Sequence, residues 1–168
     1  FLHYDPAITI LTGVEFDHAD IFRDLADVKH AFSSLISKLS AQSTLIAFDA
    51  DENIDDLIRN VKCRLVRYGK RTVSDWRIGN ISIKPPITGF DISEQNRVFG
   101  KFGTTLMGEH NLLNATSVIA AAGIIGISQE TIANALPNFE GVKRRQEIIE
   151  VIDDIIIIDD FAHHPTKV

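Results

Sequence analysis

The sequence has a single cysteine, no surplus of positive charge and no apolar run long enough to cross a membrane. Cys63 cannot form an internal disulfide, which indicates a reducing, cytoplasmic compartment. Lysine and arginine number 17 against 23 aspartates and glutamates, so the net charge is −6, whereas domains that bind a nucleic-acid backbone are usually basic. A membrane helix needs roughly 20 apolar residues. We therefore expect neither nucleic acid nor a membrane as a partner.

A phosphate-binding loop is also lacking. Residues 100–105 hold a Gly-Lys pair followed by threonines, but the loop pattern requires a glycine five residues before that pair, where Gln95 stands. A helix should follow such a loop, whereas residues 104–107 look extended. A nucleotide-binding enzyme with this sequence would carry its phosphate loop elsewhere. Since the chain opens on Phe1 rather than methionine, we expect it to be part of a longer protein.

Strands and helices alternate in the first part of the chain. Predicted strands at 7–11, 44–48 and 64–68 are separated by helices that Asp24 and Asp51 can cap. This alternation is typical of a parallel sheet with right-handed crossover connections.

The pattern then changes to short β-type segments at 76–83, 90–92 and 97–106, which predict an antiparallel appendage to the sheet. Residues 112–125 are apolar on almost every face, as in a buried helix, and Ser128 can cap a further helix. The predicted fold class is α/β, with a mostly parallel sheet, flanking helices and an antiparallel β appendage.

Polar and ionisable residues follow a run of four isoleucines at 155–158. That run predicts a strand buried on both faces, as in the middle of a parallel sheet, entered through a hairpin that turns at Asp153. Asp160, His163 and His164 come directly after it, where ligands bind in open α/β sheets. Metal ligation, contact with a substrate phosphate and a structural hydrogen-bond network are all open for the two histidines.

Two further groups of polar residues have both functional and structural interpretations. Arg144 and Arg145 favour binding of an anion over solvation of a loop, because arginine recognises phosphate bidentately. Asn111 and Asn114 share one face near the start of a helix, where carboxamides pair with the edge of adenine or simply cap the helix.

A third group lies after the first strand. His18 stands between Asp17 and Asp20, and an imidazole beside carboxylates can bind Mg²⁺, Mn²⁺ or Zn²⁺. A solvated acidic loop that turns the chain explains the same residues equally well.

Taken together and in chain order, segments 12–20, 110–114, 139–145 and 159–166 resemble the Mur ligase family. These enzymes are ATP-dependent ligases that form amide bonds in bacterial cell-wall synthesis and recycling. The resemblance implies three domains in the parent protein: a UDP-sugar domain, a central ATPase domain and a C-terminal Rossmann-like domain.

Within that plan, residues 1–145 would form the second half of the central ATP-binding domain. Residues 146–168 would form the hinge and the first strand of the C-terminal domain. The family's phosphate loop and an acidic Mg²⁺ ligand would precede Phe1, so the isolated chain is predicted to be inactive.

The resemblance implies contacts for the two expected cofactors, ATP and Mg²⁺. The implied ATP contacts are Asn111 and Asn114 at adenine, Asp160 at the ribose, and Arg144 and Arg145 at the phosphates.

His18 would hold the second metal ion. His163 and His164 would lie near the substrate or phosphate and, with Arg145, are the predicted catalytic residues.

Within the family, the sequence is most similar to the peptidoglycan-recycling branch. That branch joins the tripeptide L-Ala-γ-D-Glu-meso-diaminopimelate to UDP-N-acetylmuramate through an acyl phosphate. The alternative is the branch that adds L-alanine to UDP-N-acetylmuramate, which typically has Tyr-Gly where this chain has Phe161 and Ala162. Either branch serves cell-wall biogenesis, and with it cell shape and division.

An alternative of another class is a metal-dependent phosphohydrolase that uses His18, Asp20, His163 and His164. This hypothesis predicts a tightly bound transition metal and cleavage of phosphate esters without ATP.

Overall fold

A six-stranded sheet in the order β1-β2-β3-β4-β5-β6 forms the centre of the computed structural model, which describes residues 3–153 and 155–162. The strands are β1 (Ile8–Leu11), β2 (Thr44–Phe48), β3 (Arg64–Gly69), β4 (Trp76–Lys84), β5 (Ile87–Glu94) and β6 (Arg97–Thr104). Strands β1 to β4 are paired in parallel, whereas β4-β5 and β5-β6 are antiparallel. The predicted α/β class with an antiparallel appendage is therefore confirmed.

Four α-helices flank this sheet in the described residues: α1 (Leu25–Lys38), α2 (Glu52–Leu57), α3 (Glu109–Ile124) and α4 (Gln129–Ala135). The predicted caps are confirmed. Asp24 accepts a hydrogen bond from the Asp27 amide at 2.9 Å, and Ser128 accepts one from the Thr131 amide at 3.1 Å. No helix in ranges 3–153 and 155–162 is long and apolar enough to span a membrane.

The sheet separates two hydrophobic cores. Because side chains alternate along a strand, Ile46 of β2 packs with α3 on one face while its neighbours Leu45 and Ala47 pack with α1 and α2 on the other. On the α3 face, a Cβ at Gly123 would lie 2.4 Å from the ring of Trp76, so only glycine permits this approach of helix and sheet.

The end of the chain forms a separate two-stranded antiparallel sheet from β7 (Glu147–Ile152) and β8 (Ile155–Asp159). The prediction that the isoleucine run is buried within a parallel sheet is wrong for the described residues, because Ile155 to Ile158 are 42% to 66% exposed. The isoleucine run correctly indicates a strand with apolar side chains on both faces, but it does not indicate what covers those faces. Within the described chain, however, β8 has β7 as its one strand neighbour and no helix packed over it.

Candidate functional site

A large groove lies between α3, α4 and the loop that follows them. Its volume is about 1140 Å³, somewhat above the roughly 300–1,000 Å³ typical of small-molecule sites. Most of its walls are apolar, with Val118 and Ala122 from α3 and Ile132 from α4. Thr12, just past the end of β1, also lines it. A concave, apolar site with a few polar groups is the usual form of a ligand pocket.

Four of the predicted site residues meet in this groove, although they come from distant parts of the sequence. Asn111 and Asn114 lie on the first turns of α3, Arg145 on the loop before β7, and Asp160 just after β8. These four residues bring two carboxamides, one guanidinium and one carboxylate into a groove with apolar walls.

Neither asparagine caps α3. Gly108 occupies the N-cap position with φ of 86° and makes no side-chain capping bond. Asn111 instead donates from Nδ2 to the Met107 carbonyl at 2.7 Å, one turn back. This bond fixes the carboxamide at the groove wall, and Asn114 follows three positions later on the same helical face.

The two adjacent arginines point to different sides of their loop. Arg145 lines the groove, while the Arg144 guanidinium lies 4.7 Å from the centre of the Phe161 ring. The Arg144 Nε is also 3.6 Å from Asp159 Oδ2, and its amide donates to Glu147 Oε2 at 2.8 Å. Arg144 thus joins the loop to the end of β8. Its predicted contact with phosphate stays a prediction.

The backbone of this loop explains why the neighbours diverge. Gly141, Arg144 and Gln146 all have positive φ, at 91°, 59° and 52°. The alternation of left-handed and ordinary backbone turns successive side chains away from each other. A Cβ at Gly141 would lie 3.0 Å from Leu106 in addition to the strained φ, so glycine is required here.

His18 occupies an exposed turn that follows β1. Its φ is 57°, its amide donates to Asp17 Oδ1 at 2.8 Å, and its carbonyl accepts from the amides of Ile21 and Phe22. In the part of the chain that the structure describes, no three His, Cys, Asp or Glu residues cluster closely enough to hold a metal ion by themselves. The metal role of His18 stays a prediction, and His163 and His164 lie outside the described residues.

The segment around the Gly-Lys pair, which does not fit the phosphate-loop pattern, is part of a strand. Residues 100–104 belong to β6, which pairs with β5 along its whole length. Lys101 is exposed on this strand, and no helix follows the Gly-Lys pair directly as a phosphate loop requires.

A buried polar cluster was not foreseen from the sequence. Asp49, at the end of β2, is fully buried and accepts a hydrogen bond from the Ser74 hydroxyl. Burial, together with the nearby Asp49 carboxylate, raises the pKa of Tyr68 to about 12, although a hydrogen bond with Ser117 opposes the shift. A Cβ at Gly69 would lie 2.0 Å from Asp49 Oδ1, so the cluster also requires glycine there. These residues connect the end of β2, β3 and α3.

Comparison with known proteins gives a consistent family. The family model for the Mur ligase middle domain matches residues 2–122 of this chain. The chain is 36% identical over 168 residues to the UDP-N-acetylmuramate–L-alanine ligase of Ligilactobacillus salivarius (strain UCC118), covering 100% of this chain and 37% of that protein.

Two solved structures extend the comparison. The murein peptide ligase from Psychrobacter arcticus is 31% identical with a TM-score of 0.71, and the match covers 99% of this chain and 34% of that one. The UDP-N-acetylmuramate–alanine ligase from Thermotoga maritima has a TM-score of 0.81 at 24% identity, covering 99% and 37%, which supports the fold alone. The chain therefore spans little more than a third of the length of the relatives that it matches.

Proposed function

The chain belongs to the Mur ligase family, whose members are ATP-dependent amide-bond-forming ligases, and we propose that its groove is the adenosine-binding part of the ATP site in such an enzyme. The observation that carries this proposal is the convergence of Asn111, Asn114, Arg145 and Asp160 on one groove with apolar walls.

Each of these groups suits one part of ATP. A carboxamide offers a donor and an acceptor together, which matches the edge of adenine at Asn111 and Asn114. The apolar side chains between α3 and α4 suit the flat faces of the base. Asp160 can accept hydrogen bonds from ribose hydroxyls, and the Arg145 guanidinium can pair with phosphate oxygens bidentately.

Bound ATP would supply the phosphoryl group that activates a carboxylate for attack by an amine. The residues of this chain would bind and orient the nucleotide, because catalysis of this kind depends on positioning and charge rather than on a protein nucleophile. Mg²⁺ usually takes one or two protein ligands and completes its shell with phosphates and water. A single imidazole on the His18 turn fits such an ion better than it fits a preformed metal cage.

We further propose that residues 1–145 are the second half of a central ATP-binding domain and that residues 146–168 lead into the next domain. The separate β7-β8 sheet supports this boundary. Closure of the next domain would bring Asp160 to the ribose and exclude water from the activated carboxylate. The isolated chain would not catalyse the reaction, since it has no phosphate loop.

For the amine substrate we propose L-alanine, with UDP-N-acetylmuramate as the carboxylate substrate and a cytoplasmic role in cell-wall biogenesis. This replaces the tripeptide as the first choice, because curated relatives named as L-alanine ligases match the whole chain at up to 36% identity. The tripeptide is the second candidate, favoured by the 31% identity to a murein peptide ligase and by Phe161 and Ala162.

The test is phosphate release by the full-length protein that contains this chain, supplied with ATP, Mg²⁺ and UDP-N-acetylmuramate. We expect turnover with L-alanine and little with L-Ala-γ-D-Glu-meso-diaminopimelate. The reverse preference would establish the tripeptide branch and leave the groove assignment intact. Hydrolysis of phosphate esters without ATP would instead support the metal-dependent phosphohydrolase.

A further inference from the structure

We propose that Asp51 and Asn53 are positioning residues that hold the loop carrying His18 at the edge of the nucleotide groove. This inference rests on the proposed function, because it assigns the loop a role in binding the metal–nucleotide complex. The two residues open helix α2 and lie far from the loop in sequence.

The contact is made on the backbone of a single residue, Val14. The Val14 amide donates to Asp51 Oδ2 at 2.8 Å, and the Val14 carbonyl accepts from Asn53 Nδ2, also at 2.8 Å. Both polar groups of this peptide segment are therefore satisfied by side chains from one helix end. Irregular segments rarely have a sheet or helix partner for such groups, and leaving them buried and unpaired would be costly.

The loop is fixed at Val14 and again at the His18 turn. The Val14 side chain is fully buried in the core that α1 and α2 form with the sheet. Thr12, two residues before Val14, lines the groove. His18, four residues after Val14, begins a turn that its carbonyl closes by accepting from the Ile21 and Phe22 amides. Holding Val14 in place thus sets the distance and direction from the groove to His18.

The arrangement exceeds what capping α2 requires. Asp51 caps the helix with one oxygen, because Oδ1 accepts from the amides of Asn53 at 2.8 Å and Ile54 at 3.3 Å. The second oxygen, Oδ2, is committed to Val14. A serine has one side-chain oxygen and caps helices about as well as aspartate does. Asp51→Ser should therefore keep the cap and lose the loop contact.

The Asn53 side chain is itself oriented from the other direction. Lys29 Nζ lies 3.3 Å from Asn53 Oδ1 and 2.7 Å from Asp56 Oδ2. The Lys29 contact directs the amide nitrogen of Asn53 towards Val14. Asp56 shares the lysine but does not touch the loop, so Asp56→Ala is a matched control that disturbs α2 without releasing Val14.

The experiment uses the full-length protein that contains this chain and four forms of it: wild type, Asn53→Ala, Asp51→Ser and Asp56→Ala. Mn²⁺ affinity in the presence of ATP is measured by electron paramagnetic resonance, with Mn²⁺ as the probe in place of Mg²⁺. Hydrogen exchange of the peptide that spans residues 12–20 is measured without nucleotide. ATP affinity without metal and the melting temperature are recorded as references.

For Asn53→Ala and Asp51→Ser we expect faster exchange in residues 12–20 and Mn²⁺ affinity weakened roughly two- to tenfold, the range that one lost hydrogen bond produces. ATP affinity without metal should match wild type in every variant. For Asp56→Ala, the Mn²⁺ affinity and the exchange of residues 12–20 should also match wild type. Faster exchange with unchanged Mn²⁺ affinity would overturn the proposal, since the contact would then only stabilise the fold. Unchanged exchange would also overturn it.

Failure of the proposed function has a different signature. A wild-type protein that binds no ATP at all would refute the nucleotide groove, and the positioning role would fall with it. A wild-type protein that binds ATP and Mn²⁺, with variants that do not differ from it, would leave the groove standing and refute only the role of Asp51 and Asn53.

Discussion

The two walls of the groove are built in different ways. The α3 wall rests on a buried core in which Ile119 and Ala120 are fully inaccessible, and Asn111 is anchored to it through the Met107 carbonyl. The opposite wall, residues 141–146 and 160, stands on an exposed hairpin and is held mainly by the contacts of Arg144. A rigid wall paired with a lightly held one is the arrangement expected where a ligand enters first and a second element closes over it.

The largest expected difference between the two walls is in stability. Ile119→Ala empties a fully buried site on α3 and should lower the free energy of unfolding of the 168-residue chain by about 2–5 kcal/mol. Ile156→Ala removes the same atoms from a side chain that is 55% exposed on β8 and should cost under about 1 kcal/mol. Urea unfolding of both variants measures the contrast. Equal losses would mean that the hairpin is packed as tightly as α3.

The next contrast lies within the lightly held wall. Arg145→Lys removes the planar fork that faces the groove and should weaken ATP binding by the full-length protein roughly tenfold or more, because hydrogen bonds to charged groups are the strong ones. Arg144→Lys should have a smaller effect on ATP, since Arg144 contacts Phe161 and Asp159 instead. A nucleotide displacement assay compares them. The opposite order would place Arg144 at the phosphates.

On the rigid wall, Asn111→Leu should cost about 1–3 kcal/mol of ATP binding, the value of one bidentate contact with a base edge. Asn138→Leu serves as the control, because Asn138 makes the same type of bond, to the Asn134 carbonyl at 2.7 Å, and is not among the residues that line the groove. Binding of ATP and of GTP is measured for both variants. Loss of ATP affinity in the Asn138 variant alone would move the base to another site.

The smallest expected effect is a dependence of stability on pH, and it reports on Tyr68, which packs beneath helix α3 with Ser117. Because the pKa of Tyr68 is raised to about 12 from an ordinary value near 10, the unfolded chain loses this proton first as the pH rises. The contribution of the protonated Tyr68 hydroxyl to the stability of the folded state is therefore complete below about pH 10, and it is lost as the pH approaches 12. Urea unfolding at pH 9 and pH 11 should show a decline in wild type that is weaker in Tyr68→Phe. Identical declines would contradict burial of Tyr68.

Local signals in the sequence predicted local structure well. Asp24, Asp51 and Ser128 cap helices where they were expected to, because capping depends on a few neighbouring residues. Gln95 correctly argued against a phosphate loop at the following Gly-Lys pair, which is part of β6. The alternation of strand and helix also gave the parallel sheet.

Contacts between distant residues were beyond such signals. The bond of Asp51 to Val14 and the burial of Asp49 beside Tyr68 join segments that no sequence pattern connects. Arg144 and Arg145 looked like one anion site because their divergence depends on positive φ at Arg144, which composition does not reveal. The convergence of Asn111 with Arg145 was implied by the family resemblance alone.

The central claim is that the groove between α3, α4 and residues 141–146 binds the adenosine of ATP. The most direct test is a crystal structure of the full-length protein with a non-hydrolysable ATP analogue and Mg²⁺. The account predicts the edge of the base against Asn111 and Asn114, the ribose at Asp160 and the phosphates reaching towards Arg145. A base bound elsewhere, with this groove filled by protein or solvent, would contradict it.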